Sequence, residues 1–397
     1  MSRKALLCEA EAQREYIVRH RRYLHENAEV GFELKNTVEY VKKELEALNY
    51  TPNVCGKCGI FADIGKGERC ILLRADMDAL PIREESGVPF ASQNGNMHAC
   101  GHDMHTAMLL GAAKLLKAHE SELPCRARLM FQPAEEILEG AKDMIGAGVL
   151  DSVDAAIMIH VAAALDLPTG AVIVPSAGVG APSADHFSVT VMGKGAHGAT
   201  PNLGADAILS GAHILLGFSD LISRELSICE RAVLTIGRFD GGDAANAIAD
   251  RASLKGTFRT FDEGLRKRIK ARMTDITQAI AKAYLTEAEL NFTNGCPSLY
   301  NDESIAEHIR ICAKDILGKE NVLSAAELDG TSVGGSEDFA YISRRVPTAV
   351  LSLVAGEKKK GYEYPLHHPK VRFDEAAMPF GAALLAGFAL SFNQKRG

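Results

Sequence analysis

Cys100 and His102 stand one glycine apart in the run Met97-His98-Ala99-Cys100-Gly101-His102-Asp103-Met104-His105. A thiolate and an imidazole so spaced can face one borderline divalent cation, and Gly101 lets the backbone turn between them. Alone, the run also suits a buried structural cysteine beside hydrogen-bonded histidines. A second run, Gln132-Pro133-Ala134-Glu135-Glu136, sets two adjacent carboxylates after an apolar stretch. Two such groups can divide labour at a metal: one coordinates, and the other takes a proton from the activated water. With no metal nearby they are an ordinary surface pair. His160 follows the apolar stretch Ala155-Ala156-Ile157-Met158-Ile159, and His367-His368-Pro369 lies near the C-terminus. Each of these is a weak signal, a satisfied histidine or an exposed polar turn. Together the four runs supply thiolate, imidazole and carboxylate to what reads as one site.

Such residues need strand ends and loops to hold them. Apolar runs recur at Cys70-Ile71-Leu72-Leu73, at Arg128-Leu129-Met130-Phe131 and at 155–159, with a helical pattern over 106–118 between the first two. Amphipathic helices are expected around Ile17, Val18, Tyr23 and Leu24 and over 37–48. Continuous apolar strands separated by helices predict an α/β core, a mixed sheet covered by helices on both faces. Glu135, Glu136 and His160 then fall at carboxyl ends of strands, where ligands collect in open α/β sheets. From Asp185 the texture changes. Phe187, Val189 and Val191 alternate with Ser188, Thr190 and Met192, and a helix is expected over 203–227. Strands follow over 232–239 and 247–260, then a charged helix over 263–284 and a strand over 287–292. That order is the ferredoxin-like one. The expected organisation is a metal-binding catalytic domain of residues 1–183 and 295–397, interrupted by an α+β domain at 184–294.

The length of 397 residues agrees with two domains. Apolar residues at 47% and charged ones at 24% are ordinary for a soluble protein. A net charge of -7, with no stretch that concentrates Lys and Arg, argues against a nucleic-acid partner; Lys358-Lys359-Lys360 reads as a solvated loop. The apolar run 378–392 contains Pro379 and falls short of the ~20 residues of a membrane span. It is expected as a buried terminal helix, and no membrane partner is expected. Residues 1–11 lack the apolar core of a secretory signal. Nine cysteines form an odd set without disulfide-like spacing, so a reducing, cytoplasmic location is expected. Cys55-Gly56-Lys57-Cys58 has no second pair at zinc-ribbon distance and reads as a turn. The glycines near Gly178 and Gly241 lack the strand, G-x-G-x-x-G and helix order of a dinucleotide site, so no nucleotide cofactor is expected.

With these motifs in place, the chain resembles the family of dinuclear metallopeptidases and aminoacylases. Within it the resemblance is to the branch of N-acyl-amino-acid amidohydrolases, which includes hippurate hydrolase, N-acetyl-amino-acid deacetylases and auxin-conjugate hydrolases. The markers begin at Arg21-Arg22-Tyr23-Leu24-His25 and Arg74-Ala75-Asp76-Met77-Asp78-Ala79-Leu80-Pro81-Ile82 and take in the Cys100 and Glu135 runs. They continue through Gly195-Ala196-His197, Gly256-Thr257-Phe258-Arg259 and Ser336-Glu337-Asp338-Phe339 to Phe373-Asp374-Glu375. The resemblance implies two divalent ions per subunit, zinc or manganese, with cobalt or nickel tolerated. Their ligands would be Cys100, His102, Glu136, His160 and His367, with Cys100 bridging; His367 is taken over His368 from the family's usual His-x-Pro ending. Glu135 matches the general base, and Asp76 the carboxylate that orients the centre from behind its ligands. The inserted domain would be a lid and dimerisation domain. In it His197 resembles the residue that reaches a neighbouring active site to stabilise the oxyanion, and Asn246 and Arg259 those that hold the substrate's α-carboxylate. Gly334, Gly335 and Ser336 would offer backbone N–H donors. Ala28 and Ala249 stand where the family often has proline. The stretch Val161-Ala162-Ala163-Ala164-Leu165-Asp166 lacks the aromatic or proline residues frequent there, which bears on the acyl pocket.

The activity so implied is hydrolysis of the amide bond of small N-acyl amino acids, N-acetyl, N-benzoyl or similar, by a homodimer or higher homo-oligomer. Two alternatives stand beside it: a dipeptidase or aminopeptidase of the same superfamily, and a metal-binding scaffold without activity. The Cys100-type site and the lack of an obvious acidic amine-binding cluster favour acyl substrates.

Overall fold

Four apolar runs, Arg126–Gln132, Cys70–Asp76, Ala155–Ala162 and Thr348–Val354, lie side by side as parallel strands. They are covered on both faces, completely so in Cys70–Asp76, which is why their sequences run apolar instead of alternating. Asn53–Cys55 and Gly59–Ile64 extend one side antiparallel. Val172–Val174, antiparallel to Thr348–Val354, and Val322–Ser324 extend the other. The result is the expected mixed α/β sheet, of eight strands. Asp76 pairs with Gln132 and Ala162 with Val354, so all four central strands end at one edge.

The computed structural model describes residues 3–327 and 335–392. These fall into two compact units, one within Met1–Gly180, Tyr300–Val333 and Asp338–Gly397, the other within Ala181–Leu299 and Gly334–Glu337. In the first, the helix His102–Ala118 is buried along nearly its whole length and packs against Arg14–Glu26 and Met378–Ser391. Met378–Ser391 is apolar all round and buried accordingly. No helix among the described residues is long and apolar enough to cross a membrane.

The second unit is a four-stranded antiparallel sheet in the order Ala232–Gly241, Arg251–Thr260, Ala184–Met192, Glu287–Cys296. Helices Ala207–Asp220 and Glu263–Ala283 complete the β-α-β-β-α-β order of a ferredoxin-like fold. Phe187, Val189 and Val191 point into a core shared with Leu254, Phe258, Ile214, Phe218, Leu265, Ile269 and Met273, as their alternation on the strand and their spacing on the helices require. Each helix starts at an aspartate whose side chain accepts a main-chain N–H three residues on: Asp206 from Leu209 and Asp262 from Leu265.

Several boundaries differ from expectation: the strand expected over 247–260 is two, Ala247–Ile248 and Arg251–Thr260, in different sheets, and the one expected over 287–292 runs to Cys296. The helix expected from residue 106 begins at His102, and the strand expected to end at Ile159 continues to Ala162, which puts His160 on it. The helix expected over 203–227 is Ala207–Asp220 with a π-helical turn, Leu221–Glu225, after it; its start is set by the Asp206 cap.

Candidate metal centre

Cys100, His102, Glu135, Glu136 and His160 gather at the shared edge of the parallel strands, and His367 joins them from a segment more than 200 residues later in the chain. Gly101 makes the first contact possible. It caps the helix at φ +88, and a Cβ there would lie 2.4 Å from Val161 Cγ2, so only glycine lets Cys100 and His102 turn toward the same point. Glu135 and Glu136 leave the end of Arg126–Gln132 through Ala134, a non-glycine residue at φ +56. The carboxylate of Asp78, 1% exposed, holds that loop: Oδ1 accepts the N–H of Glu135 at 3.0 Å and Oδ2 that of Glu136 at 3.2 Å. His367, at φ +66, donates its main-chain N–H to Ala99 O at 2.9 Å.

The ligand atoms of Cys100, His102 and His160 lie within 4.8 Å of one another, and so do those of Cys100, Glu136 and His367. Cys100 Sγ is common to both groups. His160 Nε2 is 3.6 Å from Sγ, and Glu136 Oε1 is 3.9 Å from His102 Nε2 and 3.5 Å from His367 Nε2. The tautomers suit coordination. His102 Nδ1 donates to Asp78 O at 2.8 Å and His160 Nδ1 to Val161 O at 2.8 Å, which leaves the two Nε2 atoms to converge. His102 Nε2 is buried and has no hydrogen-bond partner, a state that a bound cation would relieve. His368 is engaged elsewhere: its ring stacks on Tyr364 and its Nδ1 accepts the Lys370 N–H.

Burial pushes the Cys100 thiol upward and His160 down to about 3. A thiol buried this way ionises only beside positive charge, and neutral imidazole is the form that coordinates metal. Burial also works against charge on His102, but the carboxylate of Asp76 leads the groups that raise it. The donor set of sulfur, nitrogen and carboxylate oxygen therefore fits a pair of divalent ions.

Asp76 sits behind this cluster, with Oδ2 3.5 Å from His102 Nε2 and Oδ1 2.6 Å from His105 Nδ1. His105 was not expected to take part. Its Nε2 accepts the Val161 N–H at 2.8 Å, so its Nδ1 carries the proton given to Asp76, and both nitrogens are occupied. Asp78 was likewise not singled out. The signals available were its place two residues after Asp76 and the three-residue spacing of His102 and His105 on one helix face.

The remaining predicted residues lie in the second unit. Ala196–His197 pairs with Ala247–Ile248, and Gly198 N–H donates to Asn246 O at 2.8 Å, so His197 and Asn246 are neighbours on an exposed ribbon. Arg259 is exposed on Arg251–Thr260 and donates from Nη1 to Ser336 Oγ at 2.8 Å. Gly335 is exposed, and Gly334 lies outside the described residues.

The model of the family described as peptidase family M20/M25/M40 matches residues 72–391. N-acetyl-L-cysteine deacetylase of Bacillus subtilis is 38% identical over 363 residues, 90% of this chain and 83% of that protein. IAA-amino acid hydrolase ILR1-like 5 of Arabidopsis thaliana is 34% identical over 390 residues, 95% and 87%. The crystal structure of the Bacillus subtilis YXEP protein, described as a dinuclear metal binding peptidase, superposes with a TM-score of 0.78 at 31% identity, covering 96% of this chain and 98% of that one.

Proposed function

The chain belongs to peptidase family M20/M25/M40, and from that premise we propose that it hydrolyses the amide bond of N-acyl amino acids, with Glu135 as general base beside two divalent ions. The observation that carries this reading is the meeting of four donors, from His102, Glu136, His160 and His367, around Cys100 Sγ, with the carboxylate of Glu135 beside them on a loop that Asp78 pins.

The residues that would hold the ions are Cys100, His102, Glu136, His160 and His367, with Cys100 Sγ common to both donor groups. When bound, the ions supply positive charge that acidifies water and polarises a carbonyl oxygen. Glu135, 6% exposed, takes the proton of the attacking water and passes it to the leaving nitrogen, so that amide and water become a carboxylic acid and a free amine. Asp76 keeps His102 and His105 in place. On the second unit we assign the substrate's α-carboxylate to Arg259 and Asn246, the oxyanion to His197 of a neighbouring subunit, and a supporting N–H to Gly335. A dimer in the cytoplasm follows from the same reading; Leu209, Leu216 and Val233, each about half exposed or more, are apolar surface available for it. Zinc or manganese suits the donors, with cobalt or nickel as substitutes.

The test is Glu135→Gln, assayed on N-acetyl and N-benzoyl amino acids and on free-amine dipeptides, with metal content measured in parallel. Retained metal with turnover down by roughly 10²- to 10⁴-fold is expected. Turnover like the wild type would remove the base, and cleavage restricted to the dipeptides would replace the acyl substrate with a peptide.

A further inference from the structure

The geometry points to Asp338 as the residue that positions the base, an inference that rests on Glu135 having that role. The main-chain N–H of Asp338 donates to Glu135 Oε1 at 3.3 Å. A carboxylate with one oxygen held by a main-chain donor has a fixed orientation for the other, and orientation is what a general base needs from its surroundings. The main chain at 338 can do this only if it is itself immobile, and its side chain makes it so. Oδ1 accepts Arg74 Nη2 at 2.9 Å and Gln132 Nε2 at 2.7 Å; Oδ2 accepts Gln132 Nε2 at 2.9 Å and the Ala141 N–H at 2.8 Å. The side chains of Arg74 and Asp338 are both wholly inaccessible.

A buried ion pair offers little net stability over apolar residues of the same volume, because both charges lose their water. Here the pair does something an apolar pair cannot. Arg74 also donates from Nη1 to Asp76 Oδ2 at 2.7 Å and from Nε to Gln132 Oε1 at 3.0 Å. One guanidinium therefore ties the carboxylate behind His102 to the segment behind Glu135, across 264 residues of sequence. Asp338 touches no reacting atom and is a positioning residue. Gly140 belongs to the same device: a Cβ there would lie 1.6 Å from Pro133 O, so the tight turn that brings the Ala141 N–H to Asp338 excludes every other residue.

The experiment is a double-mutant cycle. Asp338→Asn keeps the volume but turns an NH₂ group toward N–H donors, and Gln132→Ala removes two of the clamps without changing any charge. Each is made in the wild type and in Glu135→Gln, with kcat, KM and bound metal measured. In the wild type, kcat is expected to fall about 10- to 100-fold for Asp338→Asn and less for Gln132→Ala, the scale of a small misplacement at the reacting centre. KM and metal content are expected to hold. In the Glu135→Gln background the same substitutions should change the residual rate by less than about twofold, because the group they act through is already gone. Equal losses in both backgrounds, loss of metal, or unchanged kcat would overturn the inference. Should Asp338→Asn fail to fold, Gln132→Ala decides by the same criteria. Activity of Glu135→Gln equal to wild type removes the base assignment and this inference together, whereas additivity on the low residual rate of an impaired Glu135→Gln removes this inference alone.

Discussion

Asp78→Ala isolates the hold on the loop that carries both the base and a metal ligand. The substitution removes two acceptors, for the N–H groups of Glu135 at 3.0 Å and Glu136 at 3.2 Å, from a side chain 1% exposed. Hydrogen bonds to a charged group contribute about 1.5–3 kcal/mol each, so the pair is worth about 3–6 kcal/mol at most, less whatever water recovers. His102 keeps its Nδ1 bond to the main-chain oxygen of residue 78 but loses the nearby carboxylate, whose Oδ1 lies 3.5 Å from that nitrogen. If about 2 kcal/mol of the loss is expressed at Glu136, the site binds metal roughly 30-fold more weakly, and turnover falls with it because Glu135 shares the loop. Competition against a chromophoric zinc chelator reads the affinity, and saturating metal then reads the residual kcat. Asp78→Asn, which keeps one acceptor, should fall between. An Asp78→Ala protein that binds zinc within threefold of wild type and turns over normally would refute the reasoning, since the loop would then be held by something else.

Gly101→Ala is expected to cost about 2–4 kcal/mol in denaturant unfolding, from a left-handed φ of +88 and a contact of 2.4 Å with Val161 Cγ2; a change under about 0.5 kcal/mol would show that the backbone there has slack. His25 titrates within a buried set of Asp103, Glu84, Arg21 and His98. Burial opposes its charge, but Asp103 and Glu84 prevail and raise it to about 9. Its contribution, at most about 3 kcal/mol, is therefore full below about pH 6.5 and lost as pH rises through about 9. The stability difference between wild type and His25→Gln should shrink between pH 6.5 and 9.5, and an equal difference at both would contradict the assignment. Stripping metal with a chelator should abolish hydrolysis and lower Tm, with zinc or manganese at about 1,000 times Kd restoring about 4 kcal/mol; a Tm that ignores metal would mean the donors are not filled.

What could be read in the sequence was whatever a local pattern encodes. The apolar runs at 70–73, 128–131 and 155–159 announced the buried parallel strands, and the alternation from Phe187 announced the second sheet. Strand ends and a turn glycine marked the runs at 98–105, 132–136 and 160, whereas the choice of five ligands, Glu136 over Glu135 and His367 over His368 among them, came from the family resemblance. Boundaries were harder: the cap at Gly101 draws His102 into the helix, and pairing with Ser352 keeps His160 on its strand. Hydrogen-bonding roles that depend on a tautomer, a main-chain N–H or a side chain far along the sequence leave at most a faint spacing behind. Asp78, His105 and Arg74 all act that way, each through groups from a distant part of the chain.

The strand Thr348–Val354 lies inside the sheet, between Ala155–Ala162 and Val172–Val174. A ribosome that has delivered the first 300 residues has made Cys100, His102, Glu136 and His160 but neither His367 nor the strand that completes the sheet. Until then Ala155–Ala162 presents an unpaired, apolar edge, a template for association with other nascent chains. Closing it requires a parallel pairing across nearly 200 residues, the slow kind of step in folding. Synthesis must therefore pass Val354 before this edge is paired and His367 before the last donor arrives, and translation stalled earlier should yield insoluble fragments that hold metal poorly.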